Sequence, residues 1–161
     1  MFTAFVMSAL WHLDPIQYAL LKEVHEYRRR NFWSSIAWDA LDDAMHYEGR
    51  EIVFNLYSLP HWDEQDPHWS WAVIMYFGTF EEAYLEFIQL NLRVRFRPGD
   101  VIFFRGKDLL HSVMMWKGGE RHFIINFTHD AMWRKAGKTC RSSKAHGWPG
   151  REDAPPGPRP M

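Results

Sequence analysis

Cysteine is nearly absent from the sequence, since Cys140 is the only one among 161 residues. A single cysteine cannot form an internal disulfide, and it excludes a zinc site built from several cysteines. We therefore expect no disulfide-linked partner and an intracellular protein, with nucleus and cytoplasm both left open. Long hydrophobic runs are also missing. No stretch approaches the ~18 apolar residues of a membrane-spanning helix, so we expect no membrane partner.

Charge of one sign is not in excess either, because 19 basic residues are balanced by 20 acidic ones and the net charge is −1. No overall field would therefore draw the protein to nucleic acid or to a membrane. Aromatic residues are plentiful instead, with nine tryptophans and twelve phenylalanines. Large aromatic side chains bury much area per residue, so we assign them first to the core and only second to a planar or apolar substrate.

The first part of the chain, about residues 14–48, has the pattern of helices. Asp14 is a suitable cap and Pro15 a suitable first residue for one helix, and Ser34 or Ser35 begins a second that Gly49 ends. The apolar stretch before Asp14 is compatible with a strand or a helix. The predicted apolar stripes consist of Ile16, Leu20, Val24 and Tyr27 in one helix and of Ala37, Leu41, Ala44 and Met45 in the other.

From about residue 51 to residue 130 the hydrophobic period changes from 3.6 to 2, which indicates strands. Turn residues separate them at Pro98-Gly99-Asp100 and at Lys117-Gly118-Gly119. We therefore predict an α+β protein that is mainly β, a sandwich or barrel with the N-terminal helices packed outside. The predicted strands are 51–58, 70–77, 84–90, 92–97, 100–105, 111–116 and 121–128.

The last part of the sequence departs from this pattern. Residues 134–161 are first basic and then rich in proline and glycine, a composition that buries too little apolar surface to fold. We therefore predict one domain over residues 1–133, followed by a flexible tail.

A histidine two residues before an acid is a candidate for metal binding, because residues i and i+2 of an extended chain project to the same side. Asp14 is better explained as a helix cap, and the second pair lies at a predicted helix end. Only His61 and Asp63 follow a strand-like run within the β region. The sequence contains three such pairs: His12/Asp14, His46/Glu48 and His61/Asp63.

Two imidazoles and one carboxylate are the ligand set of many non-haem iron sites. The third ligand should come from a later strand that folds back beside the first, and His111 at the start of HSVMMW is the best candidate. His68, His122 and His129 are its rivals.

Arg121 enters a predicted buried strand, where an unpaired charge would be costly. Its planar fork matches a carboxylate, so it either binds a dicarboxylic acid whose other end meets the metal or forms a structural salt bridge. Asn55 and Tyr57 share the parity of His61 along the preceding strand. They are therefore candidates to line the same cavity and to hydrogen-bond a ligand.

Taken together, His61-x-Asp63, RPGDVIFFRG (97–106), His111, KGGER (117–121) and NFTH (126–129) resemble the 2-oxoglutarate/Fe(II) dioxygenases, and the fungal TET/JBP-like oxygenase domains most closely. The resemblance implies a double-stranded β-helix, jelly-roll or cupin-like. It also implies that His61, Asp63 and His111 bind Fe(II), while Arg121 binds the distal carboxylate of 2-oxoglutarate. The implied reaction is hydroxylation of a C–H bond, such as the methyl group of a modified pyrimidine in DNA or RNA.

One departure from the family pattern keeps other functions open. Relatives carry a glycine pair where this chain has Glu81-Glu82-Ala83, and two acids there would repel phosphate. The alternatives are an inactive relic or β-barrel binding module, and a dioxygenase that acts on a small molecule or a protein side chain. A cupin-like metal enzyme that works without 2-oxoglutarate is a further alternative.

Overall fold

The computed structural model describes residues 2–32 and 44–138. Within these ranges the chain forms two compact units, one from residues 2–32, 44–50 and 126–138 and the other from residues 51–125. In neither described range does a helix have the length and hydrophobicity needed to cross a bilayer. The predicted single domain over residues 1–133 stays a prediction, as does the tail, which lies almost entirely outside the described residues.

The described residues of the first unit include the helices α1 (Phe2–Leu13), α2 (Pro15–Asn31) and α3 (Asp130–Lys135). The apolar start of the sequence is therefore a helix. Asp14 caps α2 as predicted, since its Oδ1 accepts the N–H of Gln17 at 2.9 Å, and Pro15 begins the helix. Because α3 continues to Lys135, a helix crosses the boundary predicted at residue 133.

Two features of the predicted helices are wrong. The buried face of α2 is formed by Gln17, Leu21 and Val24, whereas Ile16 is half exposed. The face that packs against α1 is therefore rotated by about one residue from the predicted apolar stripe. The second predicted helix lies mostly outside the described residues. Residues 44–47 are not helical, and Gly49 begins a strand where a helix end was predicted.

The second unit is built mainly from strands in two sheets. The strands are β1 (Gly49–Phe54), β2 (Ser58–His61), β3 (Ala72–Gly78), β4 (Glu82–Phe87), β5 (Leu92–Phe96), β6 (Val101–Phe104), β7 (His111–Val113), β8 (Trp116–Lys117) and β9 (Arg121–Phe127). One sheet has the order β1-β9-β3-β6. The other has the order β2-β7-β4-β5, with β8 also paired to β4, and all its pairs are antiparallel.

Both sheets contribute side chains to one hydrophobic core. Tyr76 and Phe104 come from the first sheet, and Leu85, Phe96 and Val113 come from the second. Along β4 every second residue is buried, as the period of 2 predicts. Burying one large side chain of this kind contributes about 1.5–3 kcal/mol, so the aromatic-rich core is the main source of stability in this unit.

Among the predicted strands, two are interrupted and a third ends in a different kind of structure. The segment 51–58 breaks at Asn55, whose φ of 48° lies in the left-handed region, so it forms β1 and β2 in different sheets. The segment 111–116 divides into β7 and β8, and 84–90 ends at Phe87, before a short 3-10 helix (Ile88–Leu90). The break at Asn55 has a consequence for function, because it lets β2 pair with β7.

Candidate metal centre and its cavity

The pairing of β2 with β7 places His61 directly opposite His111. Asp63 follows two residues after the end of β2, and its Oδ1 lies 3.6 Å from Nε2 of His61 and 3.8 Å from Nε2 of His111. One ligand atom from each of the three residues lies within 4.8 Å of the other two. The three residues predicted to bind a metal therefore converge on one point.

Both imidazole rings are held by carbonyl oxygens of their own chain segments. Nδ1 of His61 lies 2.7 Å from the carbonyl oxygen of Leu59, and Nδ1 of His111 lies 2.8 Å from that of Leu109. A ring nitrogen facing a carbonyl oxygen must carry the proton, so the lone pair of each neutral ring is on Nε2. The backbone thus selects the tautomer that presents Nε2 to a metal.

The carboxylate of Asp63 is held by the loop that follows β6. Its backbone N–H donates to the carbonyl oxygen of Gly106 at 3.0 Å, and a Cβ at Gly106 would overlap the carboxylate. Glycine is therefore required at this position by close approach. Oδ2 of Asp63 is buried against Gly106 without a hydrogen-bond partner among the described residues, and this packing leaves Oδ1 as the oxygen that faces the two imidazole rings.

Burial also sets the charge of one histidine. His111 is buried, and this burial lowers the pKa of its imidazole below the usual value, although the negative charge of Asp63 and the Leu109 carbonyl act in the opposite direction. The ring is therefore neutral at physiological pH, which is the form that binds metals. Two imidazole nitrogens and one half-buried carboxylate are a donor set that fits a divalent ion such as Fe(II).

The three ligand residues line a cavity of about 220 Å³ in the second unit, and Arg121 lines it too. The walls between these groups are mostly apolar, and the cavity is open to solvent on the side of Leu56 and Tyr57, which are both exposed. The apolar lining residues are Val53, Leu56, Ile74, Leu85, Val113, Phe123 and Ile125.

Arg121 is the first residue of β9 and is only 1% exposed. Its guanidinium carbon lies 5.1 Å from the ring centre of Trp116 and 5.2 Å from that of Phe123, and its Nη2 donates to the carbonyl oxygen of Leu56. Among the described residues no carboxylate pairs with it, so the structural salt bridge considered from the sequence is not found there. The guanidinium is a fixed, buried cation that faces a cavity.

Asn55 was predicted to line the cavity, and the structure places it outside. It is exposed and does not line the cavity, and its Oδ1 accepts the backbone N–H of Arg121 at 2.9 Å. Its contact therefore fixes the start of β9 rather than a ligand. Tyr57 does line the cavity, and its ring lies 4.9 Å from that of Trp116.

The rival histidines are all engaged elsewhere. Nδ1 of His68 pairs with Asp108, and Nε2 of His122 lies 3.3 Å from a carboxylate oxygen of Glu120. His129 precedes α3, and its ring packs against Phe127. None of the three belongs to the group of ligand atoms around Asp63.

Sequence reasoning missed two residues of this site. Tyr76 lines the cavity, and Gly106 gives the Asp63 carboxylate its space. Gly106 stands in the RPGDVIFFRG motif, so a glycine directly after a strand was a usable signal. Tyr76 carried no signal, because in the sequence it is one of several aromatic residues in an apolar strand.

Comparisons with known proteins agree with the motifs. No family model matches the chain. Tet-like dioxygenase 1 of Naegleria gruberi is 39% identical over 72 residues, which are 44% of this chain and 22% of that protein. A solved structure of NgTET1 in complex with 5mC DNA has a TM-score of 0.50 and 23% identity, and the match covers 86% of this chain and 61% of that one.

The resemblance to the TET/JBP-like oxygenases is confirmed. The predicted fold class, mainly β and of the double-stranded β-helix type, is confirmed as well. At 23% identity the likeness to NgTET1 concerns the fold. The chain spans less than two thirds of either relative, 22% of one and 61% of the other.

Proposed function

We propose that the protein is an Fe(II)- and 2-oxoglutarate-dependent dioxygenase that hydroxylates a C–H bond. The supporting observation is the convergence of His61, Asp63 and His111 in one cavity with Arg121, a buried cation without a carboxylate partner among the described residues. A metal at one place and a carboxylate-binding group at another define a site for a short dicarboxylic oxo acid.

His61, Asp63 and His111 would hold the iron, and the carbonyl oxygens of Leu59 and Leu109 keep the two rings turned toward it. Bound there, Fe(II) supplies the redox chemistry with dioxygen that couples conversion of 2-oxoglutarate to succinate and CO₂ with hydroxylation. Arg121 binds the distal carboxylate and thereby orients the cosubstrate. Much of the cavity wall is apolar, which favours interactions between charged groups inside it.

For the substrate we propose the methyl group of a modified pyrimidine in nucleic acid, which is reached only when the base leaves the stack. The support is the similarity to Tet-like dioxygenase 1 and to the fold of NgTET1, which was solved with 5mC DNA. Glu81 and Glu82 stand where relatives have a glycine pair, and their charges would oppose a nucleic-acid phosphate. Each acid is paired with a basic side chain, since Glu82 lies 3.7 Å from Arg95 and Glu81 pairs with Lys117, and this pairing reduces the repulsion. An intracellular location belongs to the same proposal.

The test is succinate formation by purified protein with Fe(II), ascorbate and 2-oxoglutarate, with and without methylated DNA. We expect turnover that His111→Ala abolishes, because a neutral ligand is lost from the metal. His12→Ala is the matched control, since His12 is an exposed histidine on α1 and its Nδ1 contacts only a nearby carbonyl oxygen.

Three other outcomes would contradict the proposal. Binding of Fe(II) and 2-oxoglutarate without succinate would indicate a binding module. Turnover that survives Arg121→Ala would favour a cupin-like enzyme that works without 2-oxoglutarate. Turnover that no nucleic acid stimulates would move the substrate to a small molecule or a protein side chain.

A further inference from the structure

We propose that Gln89 is a positioning residue of the candidate metal centre, because its side chain fixes the loop that holds two of the three donor residues. The assignment rests on the proposed function, since it concerns the metal that this function requires. Its starting observation is a pair of contacts made by one amide group. Nε2 of Gln89 donates to the carbonyl oxygen of Asp108 at 3.3 Å, and Oε1 accepts the backbone N–H of Leu110 at 2.7 Å.

The loop concerned is residues 105–110, between β6 and β7. Two of its carbonyl groups contact metal-site residues. That of Gly106 accepts the backbone N–H of Asp63 at 3.0 Å, and that of Leu109 lies 2.8 Å from Nδ1 of His111. A shift of this loop would therefore change both the direction of the His111 ring and the place of the Asp63 carboxylate.

The two contacts of Gln89 lie on either side of Leu109 in the chain. They hold the backbone at Asp108 and at Leu110, so the peptide groups that flank Leu109 are restrained. The carbonyl oxygen of Leu109 is the group that selects the tautomer of His111. Gln89 therefore acts on the His111 ring through the backbone of the loop.

A side chain is needed at this point because the strand pairing ends. β4 pairs with β7 as far as Phe87 opposite His111, and the chain then continues as the 3-10 helix Ile88–Leu90. The backbone N–H of Ile88 still reaches the carbonyl oxygen of Leu110 at 3.0 Å, whereas the N–H of Leu110 binds the side chain of Gln89. A primary amide carries the same kinds of donor and acceptor as a peptide group, so Gln89 extends the pairing by one step.

Burial makes the contact with Leu110 matter. Leu110 is only 7% exposed, and a buried N–H that loses its acceptor costs free energy unless the backbone moves to find another. Without the amide of Gln89 we therefore expect the end of the loop to shift, and the carbonyl group of Leu109 with it.

The other contacts of the loop hold different parts of it. The N–H groups of Asp108 and Leu109 both donate to the carbonyl oxygen of Arg105, at 3.1 and 3.2 Å, which closes a turn within the loop itself. Nδ1 of His68 lies 2.5 Å from a carboxylate oxygen of Asp108, and this contact holds a side chain rather than the backbone. Neither contact ties the end of the loop to β4, as Gln89 does.

The experiment compares native protein with Gln89→Met, which replaces the amide by an apolar chain of similar length. Leu90→Met is the matched control, because Leu90 belongs to the same 3-10 helix and its side chain is half exposed. Calorimetry gives the dissociation constant of Mn(II). Nuclear magnetic resonance of metal-free protein with isotope-labelled histidine gives the ring nitrogen signals of His111, assigned by comparison with His111→Ala.

We expect Gln89→Met to bind Mn(II) about tenfold more weakly, as is typical when a group that orients a metal ligand is lost. In the metal-free protein the His111 signals should change from the form protonated on Nδ1 to a mixture of the two tautomers. Leu90→Met should change neither quantity.

Three results would separate this role from others. A lower Tm of Gln89→Met with unchanged Mn(II) affinity and unchanged His111 signals would show a structural role only, and would overturn the assignment. Equal losses of Mn(II) affinity in Gln89→Met and Leu90→Met would overturn it too, because the helix and not the amide would be responsible. Native protein that binds no Mn(II) would remove the proposed function, and the His111 signals of the metal-free variants would still decide the role of Gln89.

Discussion

The two ends of the cavity are built in different ways. At the metal end, two adjacent strands and one loop supply all three donors, and backbone carbonyls fix both rings so that Nε2 of His61 and Nε2 of His111 face Asp63. At the other end, Arg121 is held mainly by aromatic side chains, and its Nε has no hydrogen-bond partner among the described residues. The three donors of the candidate metal end are therefore already held in place by the fold. The candidate carboxylate end has a donor left over, which under the proposed function would bind the cosubstrate.

The Asp63 carboxylate needs the space that Gly106 leaves open. Of the variants considered, Gly106→Ala should therefore lower metal affinity the most. The added methyl group overlaps the Asp63 carboxylate, so we expect Fe(II) or Mn(II) to bind about 10- to 100-fold more weakly, measured by calorimetry. Gly99→Ala is the control, because it brings the strain of a φ of 95° but meets no atom within 4 Å. Unchanged metal affinity in Gly106→Ala would contradict a fixed carboxylate.

Binding of 2-oxoglutarate should depend on the planar shape of the Arg121 side chain as well as on its positive charge. Arg121→Lys keeps the charge but loses the planar fork, so we expect a KM for 2-oxoglutarate about tenfold higher, with metal affinity unchanged. Arg95→Lys, an exposed arginine paired with Glu82, serves as the control. If metal affinity fell together with cosubstrate binding, the two ends would not be independent.

The smallest effect is expected outside the cavity, where nucleic acid would meet the protein. Nε of Arg93 lies 3.0 Å from a carboxylate oxygen of Glu86. Arg97 is exposed, its backbone N–H donates to a carboxylate oxygen of Asp100, and its guanidinium forms no ion pair in the described ranges. If β5 faces a phosphate backbone, Arg97→Gln should reduce the salt dependence of DNA affinity by about one counterion, and Arg93→Gln by less. Equal and salt-insensitive binding by both variants would place the nucleic acid elsewhere or exclude it.

Much of the metal end could be predicted from the sequence because its signals are local. His61 and Asp63 are two residues apart in extended chain, and His111 was the best candidate for the third ligand because it begins a later strand. The structure pairs that strand with β2. Their joint role as ligands of Fe(II), like that of Arg121 with 2-oxoglutarate, stays a prediction. Asn55 was misplaced because a parity argument assumes a continuous strand, and the left-handed turn at Asn55 itself breaks that strand.

The residue types of the candidate metal site, the change from helices to strands and an arginine in a buried strand could be predicted from the sequence. Three other features became visible only in the fold: which strands pair, the space that Gly106 leaves for a carboxylate, and a Tyr76 hydroxyl without a hydrogen-bond partner among the described residues. The reason is physical. Periodicity and spacing act between near neighbours in the chain, whereas close approach and hydrogen-bond satisfaction depend on atoms that the fold brings together from distant segments.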